Sequence, residues 1–153
     1  MNNERVTGVI PDMRTGMFGN KSYTLVITNK RMIFAEVSNE LMNQEREKAV
    51  SQSEGFMGRW KASVASGFTF HERYYDMHPD TILRESQDNF EIRPGQISSV
   101  KLKGSQYGAH QSGKSYNKML IKWTGGKDKY NFQKVSIGEV KKALSPLLGT
   151  KVR

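Results

Sequence analysis

Cysteine is absent from the 153 residues. That excludes disulfides, thiolate metal sites and cysteine nucleophiles together, and it fits a cytoplasmic protein. Long apolar runs are missing too: no stretch approaches the roughly 20 residues that cross a bilayer as a helix. The opening MNNERVTGVI has no basic segment leading into an apolar one, so no signal peptide is expected. Histidine is scarce, and His71, His78 and His110 are scattered. No H-E-x-x-H, G-x-S-x-G or G-x-x-x-x-G-K-[ST] pattern occurs. GFMGRW and TGGKDK place glycine near basic residues but lack phosphate-loop spacing. Glu40, Glu45 and Glu47 read as a solvated helix face. No catalytic residue, metal ligand or cofactor is assigned, and the chain is expected not to be an enzyme.

What is there suits a single domain over residues 1–153, long enough to bury a proper core. The formal net charge is +9, and residues 89–153 alone contribute +10, with 13 basic and 3 acidic side chains, against −1 for the rest of the chain. Such asymmetry points to an anionic partner for the C-terminal part, with solubility as the plainer alternative.

The chain reads in three parts. The first is β: RVTGVIPDM, the glycine-bearing loop RTGMFGNKS, then the hairpin TLVITNKRMIFAEV. With Asn29-Lys30 as a two-residue turn, Thr28 faces Arg31, Val26 faces Ile33 and Thr24 faces Ala35. Asn29 would supply the positive φ of such a turn. Leu25 and Ile27 lie on one face and Val26 and Ile33 on the other, so both faces should be at least partly covered. The second part, about 38–86, reads as helical, with Phe56, Trp60, Val64 and Phe68 at four-residue spacing. Gly55, Gly58 and Gly67 each weaken a helix by about 1 kcal/mol, so a broken helix is expected. Pro79 suits the first position of a short helix. The third part returns to β: NFEI, ISSVKLKGS, and the hairpin YNKMLIKWT-GG-KDKYNFQKV. Ser136 and Glu139 then fit a capping box. Ile137, Val140, Ala143, Leu144 and Leu147 form an apolar helix face that Gly149 ends.

The hairpin LVITNKRMIF is similar to the l-x-l-T-n-x-R-l-i-f signature of GRAM-like and prokaryotic PH-like domains. EIRPGQISSVKLK resembles their following strand-turn-strand segment, and MLIKWTGGKDKYNFQ the hairpin after it. The resemblance covers roughly 5–37 and 75–150, with 38–86 as a helical insertion. It implies a mainly β fold with α: an open barrel of two antiparallel sheets capped by a C-terminal helix. It also implies a non-enzymatic binding module, although a fold by analogy does not supply a ligand.

Strand alternation then places the lysines. With Gly125-Gly126 as the turn, Lys122 faces Lys129, Ile121 faces Tyr130 and Met119 faces Phe132. Met119, Ile121, Tyr130 and Phe132 point inward, as do Val100 and Leu102. Lys101, Lys103, Lys118, Lys122 and Lys129 gather on one outer face. That face is either a charged, solvated surface or a docking site for a protein partner or an anionic lipid surface. Nucleic acid is the weaker alternative, because no aromatic residue interleaves with the lysines. A second candidate is the loop with Arg14, Met17, Phe18 and Lys21, where apolar residues flanked by cations could enter a membrane interface. This would make the protein peripheral at the membrane. A third is self-association through Phe56, Trp60, Val64 and Phe68, a heavy apolar load for a segment outside the barrel, with packing on its own sheet as the alternative.

Overall fold

A computed structural model describes residues 3–16, 21–37, 70–104 and 116–153. The strands are β1 (Val6–Thr15), β2 (Lys21–Thr28), β3 (Met32–Glu36), β4 (Phe90–Ile92), β5 (Ile97–Lys103), β6 (Asn117–Trp123) and β7 (Gly126–Phe132). The helices are α1 (Pro79–Arg84) and α2 (Ile137–Leu148). Of the expected insertion at 38–86, residues 38–69 lie outside the described residues, and Phe56, Trp60, Val64 and Phe68 lie there with it. Its end is visible as a 3-10 segment, Phe70–Asp76, followed by α1. Pro79 opens α1, where its missing N–H costs nothing.

The first hairpin has the expected register, with Val26 opposite Ile33 and Thr24 opposite Ala35. Its turn is built differently from expectation. Asp12 is the sole non-glycine residue with positive φ among the described residues, so Asn29 does not adopt a primed turn. Instead the Thr28 hydroxyl accepts from the amides of Lys30, at 3.0 Å, and Arg31, at 2.9 Å. Local threonine bonding of this kind makes the turn without a left-handed residue. The Asn29 side chain accepts from Arg5 N at 2.9 Å and ties the turn to the start of β1.

The second hairpin turns one residue earlier than expected. Trp123 pairs with Gly126, leaving Thr124-Gly125 as the turn. The Trp123 ring lies so close over Gly125 that a Cβ there would stand 2.4 Å from it. Gly126 takes φ 128, and Thr124 N donates to Gln96 O at 2.9 Å. Met119 therefore faces Tyr130, Ile121 faces Asp128, and Lys122 faces Lys127 rather than Lys129. Moving the turn by one residue shifts every partner by two, so each side chain keeps its expected face.

The strands form one antiparallel sheet in the order β4-β3-β2-β1-β7-β6-β5, where two sheets were expected. The four-stranded and three-stranded portions join at one registered pair, Arg14 with Asn131, reinforced by Thr15 Oγ1 donating to Lys129 O at 2.8 Å. The sheet folds over at this narrow join. Leu25, Ile27, Phe34, Val100, Met119, Ile121 and Phe132 consequently share one core. Among the described strands β4 and β5 do not pair, and the sheet is not closed. Val152 bridges to Val100, and Arg153 N donates to Val100 O at 2.9 Å, covering part of the β5 edge that would otherwise invite pairing.

Helix α2 has the expected bounds. The Ser136 side chain caps it by accepting from Glu139 N at 3.1 Å. Val140, Leu144 and Leu148 enter the core, with Ile137, Ala143 and Leu147 packed at its margin. Gly149 ends the helix with φ 59.

The outer face of the β1–β3 portion is covered as well. Val26, Ile33 and Ala35 form a second buried cluster with Tyr74 and Ile82. Arg31 latches this covering segment to the sheet. Its guanidinium donates to both Glu4 carboxylate oxygens, at 2.8 and 3.0 Å, and to Asp80 at 2.6 Å and Glu91. Burial works against its charge, yet the bonds to Asp80, Glu91 and Glu4 outweigh it and hold the pKa above the ordinary value.

Candidate functional site

The two halves of the sheet treat their outer faces in opposite ways. The β1–β3 face is apolar and covered. The β5–β7 face is basic and exposed. Lys101 and Lys103 are exposed on β5, Lys118 and Lys122 on β6, and Lys127 and Lys129 on β7. The inward positions between them carry Val100, Met119, Ile121, Tyr130 and Phe132, all buried. The core thus determines which way the lysines point.

The register arranges this face as a three-by-three lattice. One row runs Ser99, Lys122, Lys127; the next Lys101, Leu120, Lys129; the third Lys103, Lys118, Asn131. At ordinary strand and residue spacings the lattice spans about 10 by 13 Å. Leu120, half-buried at its centre, is flanked by Lys101 and Lys129. Lysine stems cover apolar surface of this kind while the ammonium groups stay in water. No acidic residue occupies the lattice, and among the described residues none of the six lysines is ion-paired. Lys122 opposite Lys127 and Lys103 opposite Lys118 are like-charge pairs across strands. Such pairs disfavour folding by a few tenths of a kcal/mol each.

All five lysines expected on the outer face are there. Lys127 is a sixth that the sequence reading missed, because the displaced turn set it opposite Thr124. Its two-residue spacing from Lys129 was the available signal. Arg14, expected in a separate loop site, pairs with Asn131 and so extends the third row of the lattice. Its charge is largely committed: Asp12 accepts from it at 2.9 Å, and this hydrogen bond chiefly raises the Arg14 pKa. Lys21 pairs with Thr15, on the opposite face from Arg14. Met17 and Phe18 lie outside the described residues. The loop candidates are therefore not brought together as one cluster: Arg14 joins the lattice and Lys21 does not.

Among the described residues no three His, Asp or Glu side chains are placed to hold a metal ion. No described helix is long and apolar enough to cross a membrane. Comparisons with protein-family models, with curated proteins and with solved structures find no match for this chain.

Proposed function

We propose that the chain is a PH-like, non-enzymatic docking module that meets an anionic membrane surface with the outer face of β5–β7. The PH-like part draws support from the hairpin motifs, from seven antiparallel strands folded about one core, and from the single helix after the last strand. The single observation that carries the docking part is the lysine lattice: six cations on one sheet face, none ion-paired among the described residues, with no carboxylate in the lattice. A solvated face kept charged for solubility has no need to set Lys122 against Lys127 and Lys103 against Lys118. A flat array of ammonium groups suits the diffuse charge of a lipid surface. It lacks the stacking aromatics of single-strand binders, and Arg14, the arginine that extends its third row, is engaged by Asp12.

Co-sedimentation with vesicles tests this. Each lysine near an anionic surface contributes about 1 kcal/mol, so six set an upper bound of about 6 kcal/mol. Replacing all six by Gln should weaken binding to phosphatidylserine-containing vesicles at least 100-fold, and raised salt should mimic part of that loss. The fold should persist, since the replaced groups are exposed and two repulsive pairs disappear. Equal binding by wild type and variant would place the contact elsewhere. Wild type indifferent to anionic vesicles would overturn the membrane reading. Tight, steeply salt-dependent binding to duplex DNA would favour nucleic acid in its place, and binding to acidic polypeptide alone would favour a protein partner.

A further inference from the structure

Asn131 Oδ1 is the one buried side-chain nitrogen or oxygen that lacks a hydrogen-bond partner among the described residues. Buried polar atoms are ordinarily bonded, and one left without a partner forfeits free energy that water would have supplied. Asparagine also suits strands poorly. Neither the sheet nor its packing accounts for this residue in β7.

Its neighbours on the outer face do. Strand β7 lies between β1 and β6, and Asn131 is the cross-strand partner of Arg14 on one side and of Lys118 on the other. Lys103 continues the row beyond Lys118, and Lys129 stands two residues before Asn131 on the same face. Arg14, Lys103, Lys118 and Lys129 are all exposed. The groups around the amide are therefore long, flexible side chains, which part for a ligand at the cost of a rotamer change. An orphaned acceptor stands among cations where the two portions of the sheet join.

Arg14 is anchored at this place. The register of β1 on β2 slips between Ile10 and Met13, and Asp12 within that bulge takes φ 58. Bulges of this kind re-aim side chains. The Asp12 carboxylate, 11% exposed, accepts from Arg14 Nε at 2.9 Å and from the Ser22 hydroxyl at 3.4 Å. Only Nε is used, and both Nη groups of Arg14 are without a partner among the described residues. A held guanidinium with open Nη donors suits a phosphate, with an ammonium group as the second point of charge.

Arg14 and Lys118 are two strand spacings apart, about 10 Å at the backbone, with Asn131 midway. A phosphate bridging them lies over the Asn131 amide. An ionised phosphodiester has no proton to give to Oδ1, so the donor comes from the alcohol esterified to it. An ammonium group there would meet Lys118 and Arg14 as a like charge. An uncharged hydroxyl meets no such penalty.

Resting on the membrane reading above, we propose that the third row of the lattice, Arg14, Asn131, Lys118 and Lys103, selects an anionic lipid whose headgroup alcohol carries a free hydroxyl, a phosphatidylglycerol. Arg14 and Lys118 hold the phosphate, Asn131 Oδ1 accepts from the glycerol hydroxyl, and Lys103 adds to the positive surroundings.

Co-sedimentation of the chain with phosphatidylcholine vesicles carrying equal fractions of phosphatidylglycerol or phosphatidylethanol tests this. The two anionic lipids have the same charge and the same phosphodiester, and only the first has hydroxyls in its headgroup. Wild type should bind the phosphatidylglycerol vesicles at least threefold tighter, the worth of roughly one neutral hydrogen bond. Asn131→Leu removes the acceptor at similar side-chain volume and should abolish the difference, with near-UV circular dichroism verifying the fold. Arg14→Lys keeps the charge without the fork and should lower affinity for phosphatidylglycerol at least twofold. The wild-type comparison stands without any variant. Equal, salt-sensitive binding of both vesicles by wild type would overturn the headgroup assignment and leave the membrane face standing. A preference that survives in folded Asn131→Leu, or unchanged affinity in Arg14→Lys, would overturn the assignment as well. Binding to neither vesicle would overturn the membrane reading and this assignment with it.

Discussion

Arg31→Met should be the most damaging single change at a polar residue of this fold. The Arg31 side chain is 6% exposed and the Glu4 side chain 5%. Glu4 is held by the guanidinium fork and by the Thr28 hydroxyl, which donates to it at 2.6 Å. Removing the cation leaves that carboxylate buried and uncompensated, which typically costs about 3–5 kcal/mol. Asp80 and Glu91 are 46% and 29% exposed, so water can solvate them and they add little. For a chain of this size each kcal/mol moves the melting midpoint by about 2–4 °C, so the expected drop is about 6–20 °C. Thermal melts followed by circular dichroism at pH 7 measure it. Adding Glu4→Gln to Arg31→Met should recover part of the loss, because the orphaned group is then neutral. Acid should narrow the gap between wild type and Arg31→Met. The hydrogen bond from Arg31 holds the Asp80 carboxyl below its ordinary value of 3.8. A depressed carboxylate stabilises the fold above the unfolded pKa, and that contribution is lost as pH falls through the folded one. A loss under about 1 kcal/mol, or no recovery in the double variant, would refute the account of Arg31 as a buried latch.

Two further outcomes are expected. The Glu36 carboxyl is held above its ordinary value of 4.5 by its hydrogen bond with Asp88, then by burial and by the Asp88 charge, with Lys21 opposing. Such a group stabilises the fold below its unfolded pKa, and the contribution is lost as pH rises through the folded value. Glu36→Gln should therefore be more stable than wild type at pH 7, with the difference closing as pH falls toward 4.5, in urea melts across that range. Ser136→Ala removes the oxygen that accepts from Glu139 N and should cost about 1 kcal/mol, read as a lower urea midpoint at unchanged slope.

Local pattern alone determined much of this protein. The two apolar runs of TLVITNKRMIFAEV, interrupted at Asn29-Lys30, set the register of the first hairpin, because a two-residue loop fixes which residues face each other. The three-to-four-residue apolar spacing after Ser136 set the bounds of α2. The inward run of Met119, Ile121, Tyr130 and Phe132 turned the lysines outward, and it did so despite the misplaced turn, since a two-residue offset preserves every face. Tertiary structure decided what depends on distant partners. The Trp123 ring needs a glycine beneath it, and that moved the second turn by one residue. Arg31 reads as an ordinary turn cation until Glu4, Asp80 and Glu91 converge on it. The join at Arg14 and Asn131 makes one sheet where two hairpin groups predict two, and it brings Arg14 to the lysine lattice. Glu36, Asp88 and Asp128 are far apart in the chain, and each looks like a surface acid. Only the folding of the sheet over its core brings all three near Tyr23, because the surroundings of a side chain are set by which residues meet in space.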